Sequence, residues 1–237
     1  MSVERKGLRL PGLGREIAVT TLTIPETARS VTFRTALEAA PRRPQVVETG
    51  TTRNAAAWEG DGCSTLVFGA WIARHGGRLV SIDISPSAVQ TSRRLLRQWS
   101  LPGEVVCADS LSYPEQRTEP IDLAYLDSLA FDFRFGGASQ RQTLAEAQLA
   151  WRKLSPGGVI LLDDAHLAYG GKHTLARAWL MGHGAETLAV GPRRVAMRRP
   201  RRASHGLRVG SRPGPSLAGR AVSKVGWLID RPRVRGT

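Results

Sequence analysis

Three aspartates stand where short apolar runs stop. Asp127 closes IDLAYLD, and Asp163 with Asp164 closes GVILLDD. Three carboxylates are hard oxygen donors of the kind that suit Mg2+, an ion that keeps waters and can chelate neighbouring hydroxyls of a substrate. A second constellation is rich in glycine: Glu48-Thr49-Gly50-Thr51-Thr52, then Gly60-Asp61-Gly62-Cys63-Ser64-Thr65. Such glycines let backbone approach a ligand, and Ser64 and Thr65 can cap a helix whose positive end faces it. Two further acids follow strands. Asp83 can accept both hydroxyls of a ribose, and Asp109 with Ser110 is placed to accept from an adenine amino group. A G-x-G-x-x-G fingerprint and a P-loop are both absent, so pyrophosphate or triphosphate has no obvious cradle.

Strands must hold these groups, and the pattern supplies them. Apolar runs at 45–49, 78–83, 104–109, 121–127 and 158–164 alternate with helical stretches at 64–76, 86–100 and 140–154. This alternation is the signature of βαβ units, a parallel sheet with helices on both faces. Ligands bind beyond the carboxyl ends of such strands, where the acids cluster. Two last strands, AETLAV (185–190) and RRVAMR (193–198), are separated only by a tight turn, which permits a final antiparallel strand. Ahead of the sheet, residues 1–24 read as an irregular arm with an edge strand within EIAVTTLTI, and a helix runs from Pro25 to Ala40. The expected fold is α/β, Rossmann-like and doubly wound, with a mostly parallel seven-stranded sheet and an antiparallel last strand. The expected division is an N-terminal arm and helix (1–44), the main domain (45–199) and a basic, flexible tail (200–237).

The 237 residues carry 34 Lys+Arg against 20 Asp+Glu, a formal charge of +14, with 41% apolar residues. That composition is globular, and no apolar run reaches membrane-spanning length. Between Gly191 and Thr237 there are 13 basic residues and one acid, so the excess charge sits in the tail. Arginine-rich tails can bind nucleic acid by releasing counterions, and they can equally be solvated extensions. Cys63 and Cys107 exclude a disulfide scaffold, and neither has metal-ligand spacing. A cytoplasmic location is the simplest expectation. Trp71, Trp99, Trp151 and Trp179 fall at packing positions of helices.

Taken in order, VVETGTT, GCST, LVSIDIS, CADS, LAYLDS and LSPGGVILLDD resemble the class I S-adenosylmethionine-dependent methyltransferases over residues 45–199. The resemblance implies S-adenosylmethionine as cofactor. Glu48, Gly50, Thr51, Gly62 and Ser64 would surround its methionine part, Asp83 its ribose, and Asp109 with Ser110 its adenine. The acid triad also resembles that of metal-dependent O-methyltransferases acting on catechols, which implies Mg2+ on Asp127, Asp163 and Asp164. Asp127 and His166 would then be the catalytic pair, because the lysine of that group is Ala130 here and His166 is the nearest substitute base. Asp127 and Asp163 could instead cap a turn and a helix, and His166 could merely be hydrogen-bonded. Lys172 and His173 lie in a YGGKH loop near the same rim. A further departure is the segment TTRNAAAWEGD between Gly50 and Gly62, which reads as an insertion, either a lid or a surface loop.

The expected activity is methyl transfer to a small-molecule acceptor, at a hydroxyl oxygen. The alternatives are an RNA methyltransferase using the basic tail and a catalytically lapsed cofactor-binding module. A hydroxylase-like role is a weaker reading. Oligomeric state leaves no trace in the sequence.

Overall fold

Successive residues of the central strands bury opposite faces. Val46, Leu123, Tyr125, Val159 and Leu161 pack with Phe33, Phe68 and Ile72 on one side of the sheet. Val47, Ala124, Leu126, Ile160 and Leu162 pack with Ala147, Ala150, Ala176 and Leu180 on the other. Strands buried on both faces read as nearly continuous apolar runs, which is why they stood out in the sequence.

The computed structural model describes residues 5–8, 17–20, 28–54, 63–131, 133 and 137–201. In chain order the elements are β1 (Arg5–Leu8), β2 (Ile17–Thr20), α1 (Ala28–Ala39), β3 (Gln45–Thr49), α2 (Ser64–His75), β4 (Arg78–Asp83), α3 (Pro86–Gln98) and β5 (Glu104–Cys107). There follow α4 (Ser112–Gln116), β6 (Ile121–Leu126), α5 (Gly137–Lys153), β7 (Leu154–Leu162), a 3-10 turn (Ala168–Gly170), α6 (Thr174–Gly182), β8 (Glu186–Val190) and β9 (Val195–Arg198).

Seven strands form one sheet in the order β5-β4-β3-β6-β7-β9-β8. β3, β4, β5, β6 and β7 are mutually parallel. β9 runs antiparallel to both β7 and β8, between which it is inserted. The expected antiparallel last strand is therefore present, one place in from the edge. The strand expected within EIAVTTLTI is β2, but it pairs with β1 in a separate two-stranded ribbon. The four expected tryptophans are packed: Trp99 is buried against α2 and α3 residues, and Trp71, Trp151 and Trp179 lie half-buried against the two main clusters.

The order reverses direction between β3 and β6, which makes their carboxyl ends the natural ligand crevice. Gly50 lies at this point with φ +81°, and a Cβ there would stand 2.3 Å from the carbonyl oxygen of Asp127. Only glycine allows the two strand ends to come so close.

Candidate functional site

Strand alternation sends Glu48 toward α2 and its neighbour Thr49 toward α5. Glu48 is fully buried, and its Oε2 accepts from the hydroxyls of Thr65 (2.7 Å) and Ser81 (2.5 Å). Oε1 is buried without a hydrogen-bond partner. Burial raises the pKa of Glu48 to about 7, against the lowering effect of Ser64, Ser81 and Thr65. Thr49 donates to Glu146 on α5 (3.3 Å), whose other oxygen accepts from Ser128 and Gln142. Burial raises Glu146 as well.

The first turn of α2 is stitched to the loop after β3. Thr52 Oγ1 accepts from the Thr65 N–H (3.1 Å), and Thr65 Oγ1 accepts from the Thr52 N–H (2.9 Å). Cys63, in a left-handed conformation at φ 46°, occupies the N-cap position and gives no side-chain cap. The cap expected from Ser64 and Thr65 thus comes from Thr52, across the loop. Ser64 itself is buried. Gly62, and the tip of the inserted segment with Trp58, lie outside the described residues.

Asp83 joins two loops. Its Oδ2 accepts from the Thr51 N–H (3.1 Å) and its Oδ1 from the Ser85 N–H (2.8 Å). Thr51 in turn donates its hydroxyl to Ser92 (2.7 Å). Beside Asp83, Ile84 is 73% exposed, an apolar side chain offered to solvent at the rim. Asp109 places one oxygen on three donors, the Leu111 N–H, the Ser112 N–H and the Ser112 hydroxyl. These bonds, the Ser112 backbone foremost, lower its pKa. Ser110 is turned inward and accepts from Gln142 (2.9 Å). Of the expected cofactor residues, Gly50, Thr51 and Asp83 converge on the mouth. Glu48, Ser64 and Ser110 are buried behind it. An acceptor carboxylate on Asp83 and the exposed apolar side chain of Ile84, side by side at these strand ends, fit the ribose and base of a nucleoside.

The acid triad also comes together, but around cations of the chain itself. Lys172 Nζ donates to Asp127 and stands 3.0 Å from Asp164 Oδ2, and its side chain is 3% exposed. Arg194 pairs with Asp163 at 2.9 Å, both side chains being 1% exposed. The Tyr125 hydroxyl donates to Asp163, and the Arg194 guanidinium lies 4.0 Å over the Phe33 ring. The Mg2+ expected on Asp127, Asp163 and Asp164 does not fit this arrangement, because Lys172 and Arg194 already occupy the carboxylates that would ligate it. Among the described residues no group of three acids, histidines or cysteines is arranged to hold a metal. Burial and the Asp163 carboxylate raise Asp127, and Lys172 opposes them. His166 is exposed, and among the described residues no hydrogen bond joins it to the triad. His173 is buried, with its Nδ1 unpartnered, and burial lowers its pKa.

A family model described as a methyltransferase domain matches residues 59–165, within the sheet order described above. Over these residues the chain is similar to a methyltransferase domain, and its sheet has the Rossmann-like methyltransferase fold. The chain is 32% identical over 110 residues to the ribosomal RNA small subunit methyltransferase C of Alcanivorax borkumensis, covering 46% of this chain and 32% of that one. It is 32% identical over 105 residues to the carboxy-S-adenosyl-L-methionine synthase of Erwinia tasmaniensis, covering 44% and 39%. The chain thus spans roughly a third of the length of the curated relatives it matches. A 16S rRNA N2 methyltransferase of T. thermophilus, solved with S-adenosylmethionine and guanosine, shares the fold at TM-score 0.52 and 18% identity, over 84% of this chain and 51% of that one. Among the described residues no helix is long and apolar enough to cross a membrane.

Arg194, Tyr125, Glu146 and Ile84 were not singled out by sequence reasoning. Glu146 left a signal: it falls with Thr143, Ala147 and Ala150 on the buried face of α5, where a charge is out of place.

Proposed function

We propose that the methyltransferase moves the methyl group of S-adenosylmethionine to a hydroxyl oxygen of a small-molecule acceptor, with Asp127 receiving the hydroxyl proton. One observation carries this reading. Asp127 ends β6 directly against Gly50, at the reversal of strand order, with its side chain 27% exposed and its proton affinity raised. A carboxylate raised toward neutrality is a competent general base, and its partial exposure lets an acceptor reach it.

When bound, the cofactor supplies a methyl group already activated on a sulfonium, so the reaction needs mainly alignment and a destination for the proton. Gly50 and Thr51 would lie along its methionine part and Asp83 would hold its ribose, with Ile84 against the base. Ser128 and Thr49, fixed by Glu146, hold the ends of β3 and β6 in register beneath it. Lys172 keeps the Asp127 carboxylate facing the crevice.

The second reading is an RNA substrate. Two of the similar proteins are ribosomal RNA methyltransferases by name, and residues 191–237 carry a net charge of +12. One set of measurements separates the readings. Calorimetry should give micromolar binding of S-adenosylhomocysteine, unchanged by Mg2+. Asp127→Asn should keep that affinity and lose about 10²–10⁴-fold in methyl transfer to a panel of phenols and alcohols. Labelled methyl appearing in RNA and in none of the panel would replace the first reading by the second. Absence of cofactor binding would leave a lapsed module acting through its tail.

A further inference from the structure

We infer that Lys172 is a built-in cation, occupying the place between Asp127 and Asp164 that a divalent ion would otherwise take, and that it positions Asp127 for metal-independent transfer. The inference rests on the reading of Asp127 given above. The backbone around Lys172 is shaped for this contact. Asp164 adopts φ 54°, a left-handed conformation unusual for a residue with a side chain. Gly170 and Gly171 follow at φ +77° and +70°, and a Cβ on Gly171 would lie 1.7 Å from the Asp164 carbonyl oxygen. This folded-back loop returns the chain to the acids only eight residues after Asp164. Gln140 on α5 fixes the turn by donating to the Gly171 carbonyl (3.0 Å). Left-handed residues gathered around one ion pair are strain retained by the surrounding structure.

An ammonium has three N–H donors and no acceptor. Two carboxylates take two of them, from Asp127 and Asp164. Asp163 is held apart from this pair by Arg194 and the Tyr125 hydroxyl. Each of the three carboxylates is therefore paired with a cation of the chain itself without an added ion, and a chelator has nothing to remove. The consequence for substrate is direct. Metal chelation favours acceptors with two adjacent oxygens, whereas a fixed ammonium and one carboxylate need only the single oxygen that receives the methyl group. The acceptor class that follows is a mono-hydroxyl compound, without the vicinal pair of a catechol.

The test follows thermal midpoints and Mn2+ uptake, the latter by electron paramagnetic resonance, in the full chain. Wild type should show the spectrum of free Mn2+, and EDTA should leave its midpoint unchanged. Lys172→Ala should have a lower midpoint that rises with Mn2+ or with propylammonium, and Lys172→Ala/Asp127→Asn should lose that response. Lys172→Gln, neutral and one atom shorter, is read in the same way if the alanine variant does not fold. Mn2+ taken up by wild type and lost in Asp127→Asn would overturn the inference. So would a folded Lys172 variant that responds to neither cation. Binding of S-adenosylhomocysteine is recorded alongside: its absence would sink the methyltransferase reading without touching the cation result.

Discussion

Asp83→Ala should weaken S-adenosylhomocysteine binding by about two to four orders of magnitude. An ionised carboxylate offers about four lone-pair sites. In the free protein two are used, by the N–H groups of Thr51 at 3.1 Å and Ser85 at 2.8 Å. The remaining two are left for the two adjacent hydroxyls of a ribose bound at these strand ends. Hydrogen bonds to a charged group contribute about 1.5–3 kcal/mol each, so losing two costs roughly 3–6 kcal/mol, or about 10²–10⁴ in Kd. Asp83→Asn retains one acceptor oxygen and should lose about half as much on a logarithmic scale. Isothermal calorimetry with all three proteins measures the loss, and circular dichroism verifies that the loops freed from Thr51 and Ser85 have not unfolded the domain. A loss of fivefold or less in folded Asp83→Ala would refute the reasoning, because it would mean that the two free lone pairs meet no ligand.

Two further substitutions address stability. Arg194→Met leaves the Asp163 carboxylate, 1% exposed, without its cation, at a cost of about 3–5 kcal/mol. At roughly 2–4 °C per kcal/mol for a domain of this size, the thermal midpoint should fall by roughly 6–20 °C, and adding Asp163→Asn should recover a good part of it. A fall under about 2 °C would contradict the burial of the pair. Glu48→Gln should flatten the pH dependence of stability. With its pKa raised from 4.5 to about 7 in the fold, wild-type Glu48 binds more protons folded than unfolded between those values. Its contribution is therefore complete below pH 4.5 and lost as pH rises through about 7, on the order of 3 kcal/mol in all. Urea midpoints at pH 5 and pH 8 should differ less in Glu48→Gln than in wild type. An unchanged difference would argue against protonation of Glu48.

The sheet could be read from the sequence because each of its central strands is buried on both faces and bounded by turn residues. Its last two strands were legible through the tight turn that separates them, although nothing local says that β9 inserts inside β8. The positions of Asp83, Asp109, Asp127 and Asp163 followed from the same strand ends. What those carboxylates touch did not follow. Lys172 reaches Asp127 through a glycine turn 45 residues further along, and Arg194 reaches Asp163 from the turn of the β8–β9 hairpin. Such pairings depend on side-chain direction at long sequence separation, which periodicity does not encode. Three acids without visible counterions therefore read as a metal site. The cap on α2 was misplaced for a similar reason: the Thr65 N–H donates to the Thr52 hydroxyl oxygen, thirteen residues away.

The insertion of β9 between β7 and β8 also dictates an order of assembly. β8 leaves the synthesis machinery before β9 does, yet it has no partner in the sheet until β9 has paired with β7. Arg194 arrives with that same strand, so Asp163 stays without its counterion until then. Closing the sheet and neutralising the rim are thus one late event in the folding of a nascent chain. A chain halted before Arg194 would hold β3 to β7 with β8 unpaired, an open sheet edge and a bare buried acid, and should be a target for chaperones and proteases while lacking a finished site.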